Sequence, residues 1–234
     1  MSKERDQLKI VVQEIIEKIE SIKTYQARRD NLFKYTELVM GDYAGIRQAY
    51  HMEIWAAMRE YLHVAKPVTS FQSRMRKAIA TYWDQAAKSA WVDGGGEGLL
   101  SKEAQSWFTS RMEAEFGFTG EVFQRLKMLK AEDDFTMKDA DNEANARAEG
   151  YSNSLDQTYN MIKAFAANYD MLFLDGDDGL DTCSTCQRLK GQKHRAKWWV
   201  SRGYVPGPAN SYECGGWNCH HALYYVKDGK RFTI

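Results

Sequence analysis

Residues 181–191 read DTCSTCQRLKG and residues 212–221 read YECGGWNCHH, and these two stretches hold all four cysteines of the chain: Cys183, Cys186, Cys214 and Cys219. The segment that contains them, 169–234, is rich in Gly, Trp and His and is too short to bury a convincing core by itself, so it needs a cross-link. Each pair can put two sulfurs on one tight turn, and zinc suits the resulting donor set best because it accepts four thiolates, or three thiolates and an imidazole, without redox chemistry. His220 and His221 adjoin Cys219, so either can replace Cys214 as the fourth ligand. A redox C-x-x-C is the rival reading of the first pair, but it lacks a surrounding β-α-β pattern. The expected cofactor is therefore a structural zinc ion held by Cys183, Cys186, Cys214 and Cys219, with His221 the alternative donor.

Outward from this segment, the texture is helical. The 234 residues include only three prolines, Pro67, Pro206 and Pro208, and the proline-poor stretches before the boundary near residue 168 favour helix. The fold class expected is mainly α: a helical body over 1–168 followed by a small α+β zinc-stapled module over 169–234. Leu8, Val12, Ile15, Ile19 and Ile22 form a stripe on one helical face. A second helix is expected over 31–64, interrupted at Gly41 or Gly45 and stopped by Pro67. A third follows, with Phe71, Met75, Ile79, Tyr82 and Ala86 at helical spacing, and DGGGEG at 93–98 breaks it.

Two shorter helices are expected next, one opened by Ser101 and one by Thr119. Between Glu132 and Glu149 seven acidic residues face only Lys138 and Arg147, which reads as a solvated helix face leading into a long helical run. MLFL, from Met171, suits a strand. The DGDDG stretch beginning at Asp175 fails as a calcium loop, because Gly179 falls one position early and Cys186 stands where the bidentate glutamate belongs.

Charge is balanced, with Lys plus Arg and Asp plus Glu both at 32, so the global balance points to no nucleic acid, membrane or acidic partner. The N-terminal stretch lacks the uninterrupted apolar run of a secretory signal, and no segment approaches the length of a membrane span. A soluble protein made in a reducing cytoplasm is expected, where clustered cysteines hold metal more often than they form disulfides. Locally, Arg188, Lys190, Lys193, Arg195, Lys197 and Arg202 fall in fifteen positions without an acid, beside His194, Trp198 and Trp199. Such a loop can sit on a phosphate backbone, or its cations can neutralise the charge of a thiolate-bound ion.

The order of these residues resembles the C-terminal module of phage head morphogenesis proteins, the Mu F-like minor head family. Asp181, Cys183, Cys186, Leu189, Gly191, Cys214, Cys219 and His221 match the places of that motif, and NEANARAEGYSNS at 142–154 resembles the alanine-rich helix that leads into it, with Asn142 where threonine is common. His220 departs from the usual arginine. The resemblance spans about residues 140–226, and it implies a non-enzymatic virion protein, associated with the portal or major capsid protein inside the capsid. Its implied part is in head assembly or genome delivery, after assembly in the host cytoplasm. Phage DNA is a further partner the basic loop can carry, and a homo-oligomer is compatible with it. The alternatives are a cytoplasmic zinc-ribbon protein that binds nucleic acid, and a metal-dependent hydrolase or nuclease in which His220 or His221 leaves a coordination place for water.

Overall fold

A computed structural model describes residues 42–63, 68–132, 134–174, 183–206, 213, 222–227 and 230–231. The described residues all fall in one compact unit, 42–234. The expected stripe from Leu8 to Ile22 lies outside the described residues, as do Asp175, Asp177 and Asp181.

Four long helices come first: α1 (Tyr43–His63), α2 (Val68–Asp93), α3 (Lys102–Lys130) and α4 (Met137–Ala167). In α2 the buried residues Phe71, Met75, Ala78, Ile79, Trp83, Ala86, Ala87 and Ala90 recur at three and four, so one face is continuous core. Helices α1, α2 and α4 pack against one another, and α3 lies mainly against α2. Gly94 ends α2 at a close approach to α4: a Cβ there would fall 2.6 Å from both the Ala166 side chain and the Lys163 carbonyl oxygen. Gly45 sits inside α1 and interrupts nothing.

Helix α3 corrects one expectation. Ser101 caps it, accepting from the Ala104 amide at 3.2 Å, but Thr119 opens no second helix. Thr119 is buried in the middle of a single helix, its hydroxyl donating to the Glu115 carbonyl at 3.1 Å. Gly117 and Gly120 each cost about 1 kcal/mol there relative to alanine. Phe108, Val122, Phe123 and Leu126, all buried along one face, outweigh that cost by entering the common core.

Helix α4 opens with a reciprocal cap: the Asp139 amide donates to the Thr136 hydroxyl at 3.2 Å, and the Thr136 amide donates to Asp139 Oδ2 at 3.0 Å. Its acidic residues are only partly a solvated face. Asp141 accepts from Arg59 Nε at 2.6 Å and pairs with His63 Nε2 at 2.9 Å, while Arg47 reaches Asp156 at 2.9 Å and Glu149 at 3.0 Å. These contacts make the acidic side of α4 a polar seam against α1. The helix stops at Asn168, whose φ of 52° takes the left-handed conformation that ends helices.

A small antiparallel sheet comes next, made of β1 (Asp170–Leu174), β2 (Lys193–Arg195), β3 (Ala222–Lys227) and β4 (Lys230–Arg231) in the order β2-β1-β3-β4. Two short helices, α5 (Ser184–Leu189) and α6 (Ala196–Ser201), flank β2. Met171 and Phe173 of β1 and Leu223 and Tyr225 of β3 alternate inward, in the register Met171↔Tyr225 and Phe173↔Leu223. Together with Cys186, Leu189, Ala196, Trp199 and Val205 they form a second core, joined to the helical one by Trp107 and Phe165, which pack against both. Met161 and Ala164 near the end of α4 belong to this second core, so it draws on residues before the turn at Asn168. The fold is mainly helical with a small sheet, and no helix among the described residues is long and apolar enough to cross a membrane.

Candidate metal centre

The first cysteine pair lies on α5. Cys183 is the N-cap residue and half-buried; Cys186, three residues on, is buried in the second core. The two cysteines thus flank the first turn of α5, one just before it with extended backbone and one within it. The turn is fixed from behind: Leu189 is buried, the Gly191 amide donates to the Phe173 carbonyl at 2.9 Å, and the Phe173 amide donates to the Gln192 carbonyl at 3.0 Å. A φ of 74° at Gly191 allows the chain to reverse there.

Cys214, Cys219, His220 and His221 lie outside the described residues, but the residues that border them are placed. Glu213, directly before Cys214, accepts from the Ser184 amide at 3.2 Å and from the Ser184 hydroxyl at 2.6 Å. Ala222, directly after His221, is paired with Leu174 at the end of β1. One flank of the second motif is thereby joined to the first motif, and the other to the end of β1. Among the described residues no group of three or more His, Cys, Asp or Glu side chains converges as a metal site, and only two of the five expected donors are among them. Soft thiolates on a helical turn fit zinc as a ligand type.

The basic loop is more occupied than its sequence suggests. Arg195 and Lys193 reach Asp170 at 3.2 and 3.9 Å, and Lys197 reaches Glu103 at 3.5 Å. Arg188 lies over the Tyr204 ring and donates to its hydroxyl at 3.0 Å. Trp198 is stacked on one face by His194, with centroids 3.6 Å apart, and covered by the Arg202 guanidinium at 4.5 Å. Two groups so close cannot share a face, so both sides of the Trp198 ring are filled, and it offers no open platform for a nucleic-acid base. Trp199 is fully buried, and its Nε1 donates to the carbonyls of Met171 and His194 at 3.1 and 3.0 Å. These five cations therefore engage protein carboxylates and aromatic rings.

Two features escaped the sequence reading. Glu213 is an ordinary acid in the sequence; its position one residue before Cys214 was the only signal it carried. The other is a buried polar cluster inside the helical body. Arg111 Nη2 donates to Ser154 Oγ at 2.9 Å, Ser154 Oγ donates to Glu115 Oε2 at 3.0 Å, and both charged residues are almost fully buried. Burial pushes the Glu115 carboxyl up to about 7 against the pull of Arg111, and pushes Arg111 down to about 10. Tyr50 and Tyr151, also buried, have their hydroxyl pKa values raised by burial and then by Glu115. The i,i+4 spacing of Arg111 and Glu115 was legible, yet it is indistinguishable from an exposed helical ion pair.

The class defined by this arrangement is a helical bundle carrying a small antiparallel module with a helix-borne cysteine pair. No protein-family model matches the chain, and no curated protein or solved structure matches it either.

Proposed function

We propose that the protein is a non-catalytic structural component of a phage head, in which a single zinc ion staples the C-terminal module. The ligands are Cys183, Cys186, Cys214 and Cys219, with His221 in place of Cys214 as the alternative set. The motif resemblance supplies the family, and one observation supports the zinc: Glu213, the neighbour of Cys214, is hydrogen-bonded to Ser184, the neighbour of Cys183. Four thiolates close the coordination sphere of zinc and leave no place for water, which is why the module acts as a rigid knob and not as a hydrolase.

The proposed partners are the portal and the major capsid protein. Phage DNA is a further partner, met through phosphate contacts from Arg188, Lys190, Lys193, Arg195, Lys197 and Arg202. Base stacking has no part in this, because both faces of Trp198 are covered within the protein. Co-expression with the portal protein of the same phage, followed by size-exclusion chromatography, tests the assignment. Co-elution that persists in high salt is expected. Independent elution, together with zinc-dependent hydrolysis lost in His221→Ala, would replace the structural reading by the enzymatic one.

A further inference from the structure

Helix α3 carries its weakest stretch where it carries its buried charge. Glu115 and Thr119 are buried, while Gly117 between them is exposed and Gly120 half-buried. Glycine is the poorest helix former after proline, and a threonine hydroxyl that bonds back one turn, as Thr119 does to the Glu115 carbonyl at 3.1 Å, weakens and bends a helix. A Cβ at Gly117 or Gly120 would meet nothing within 4 Å, so close packing requires neither glycine.

The same stretch meets the other helices through polar groups. Ser154 of α4 accepts from Arg111 Nη2 at 2.9 Å and donates to Glu115 Oε2 at 3.0 Å, and the Tyr151 hydroxyl of α4 donates to that of Thr119 at 3.4 Å. From α1, Tyr50 faces both Glu115 and Arg111, and α2 sets Trp83 beside Tyr50. Glu121 of α3 and Arg147 of α4 act on Tyr151. Burial, against the pull of Arg111 and Ser154, holds the Glu115 carboxyl up to about 7. Protonated, the carboxyl accepts from Ser154 without bringing a second charge into the core. Ionised, it adds a carboxylate whose desolvation Arg111 offsets only in part, and bending at the neighbouring glycines is the cheapest route by which that carboxylate regains water.

We propose that residues 115–120 are a proton-gated hinge in α3: a proton on Glu115 keeps the helix docked on α4, and its departure opens the helix locally at Gly117 and Gly120 while α1, α2 and α4 stay packed. The hinge stands apart from the zinc reading, since none of its residues belongs to the sheet module. In the open stretch the carboxyl returns to its ordinary value of 4.5, so opening is favoured progressively as the pH rises from 4.5 through about 7.

Amide hydrogen exchange on the full chain, corrected for the intrinsic pH dependence of exchange, tests this. Protection in the middle of α3 should fall about tenfold between about pH 5.5 and 7, with no fall in the central turns of α1, α2 and α4. His51 and His63, whose values burial lowers, act in the opposite sense on the α1–α4 seam, so a loss confined to α3 does not come from them. Glu115→Gln, neutral at every pH, should keep the acid-pH protection throughout. Gly117→Ala combined with Gly120→Ala should raise protection of the stretch about tenfold at neutral pH. Protection of α3 that ignores pH, the same loss in Glu115→Gln, or an equal loss in all four helices would overturn the hinge. A double alanine variant that exchanges like the parent would overturn it as well.

Discussion

The two cores of this molecule are built by different means. The helical one is large and continuous: Tyr50, Ile54, Met58, Met75, Ile79, Trp83, Leu126, Tyr151 and Leu155 are buried with almost no exposure, contributed by all four long helices. Among the described residues, the second core rests on inward side chains of β1 and β3, on Cys186, Leu189, Ala196, Trp199 and Val205, and on Met161 and Ala164 of α4. At roughly 1.5–3 kcal/mol for each large apolar side chain buried, the first core can offset the entropy of ordering its helices, and the second, among the described residues, buries fewer such side chains. A small sheet with two short helices gains more from a cross-link than a bundle of long helices does, and all four cysteines of the chain lie in that region.

The largest test of this contrast compares two buried tryptophans. Trp83→Ala and Trp199→Ala should each cost about 3–5 kcal/mol, but with different reach. The first should lower the urea midpoint of helix unfolding monitored by far-ultraviolet circular dichroism. The second should leave that midpoint in place and expose β1, β3 and α5 to protease. A common midpoint shift in both variants would break the comparison.

A step smaller is the polar exception inside the helical core. Glu115→Gln puts a permanently neutral group where burial favours the neutral carboxyl, so it should change stability little at acid pH and gain on the parent as the pH rises past about 7, whereas Arg111→Met, which removes the charge that offsets the carboxylate, should cost about 3 kcal/mol there. The pH dependence has a definite sign. The Glu115 carboxyl is held above its ordinary value of 4.5, up to about 7, so the folded protein takes up a proton in that window that the unfolded chain does not. Its contribution to stability is full below pH 4.5 and is lost as the pH rises through about 7. The Gln variant should lack that slope in urea midpoints measured across the window.

The histidines of the α1–α4 seam act in the opposite direction. Burial lowers both His51 and His63 from 6.5, so their contribution is present above that pH and lost on acidification below it. A His51→Gln, His63→Gln double variant should lose less stability than the parent on acidification, and an unchanged acid limb would dismiss the seam as a pH-sensitive element.

The smallest effect belongs to the basic loop, whose pairs with Asp170 and Glu103 are more than half exposed on the cation side. Pairs of this type contribute at most about 1 kcal/mol, so K193A, R195A and K197A should barely move the thermal midpoint. If the loop binds DNA, the same triple variant should flatten the salt dependence of binding.

Much of the helical body was legible because its apolar spacing repeats over many turns. Phe71, Met75 and Ile79 announced α2, and Gly94 announced its end. The misreading at Thr119 arose because a cap residue between two glycines carries the same local signal whether or not tertiary burial overrides it. Here Val122, Phe123 and Leu126 decided, and their packing against other helices is not a local property. The strand at MLFL was readable from its apolar run, but its partners were not, since β1 pairs with a segment about fifty residues away. The candidate metal site was legible as a spacing of cysteines. The contact beside it, from Glu213 to Ser184, joins residues far apart in the sequence that carry no local mark of the pairing.

The central claim is that zinc holds the C-terminal module together while the helices stand without it. Amide hydrogen exchange, followed by mass spectrometry on the full chain before and after removal of metal by a chelator, tests this most directly. The account predicts stoichiometric zinc at the outset, loss of protection in β1, β3 and α5 on chelation, and unchanged protection through the central turns of α1 to α4. Protection of β1 and β3 that is the same with and without chelator would contradict it.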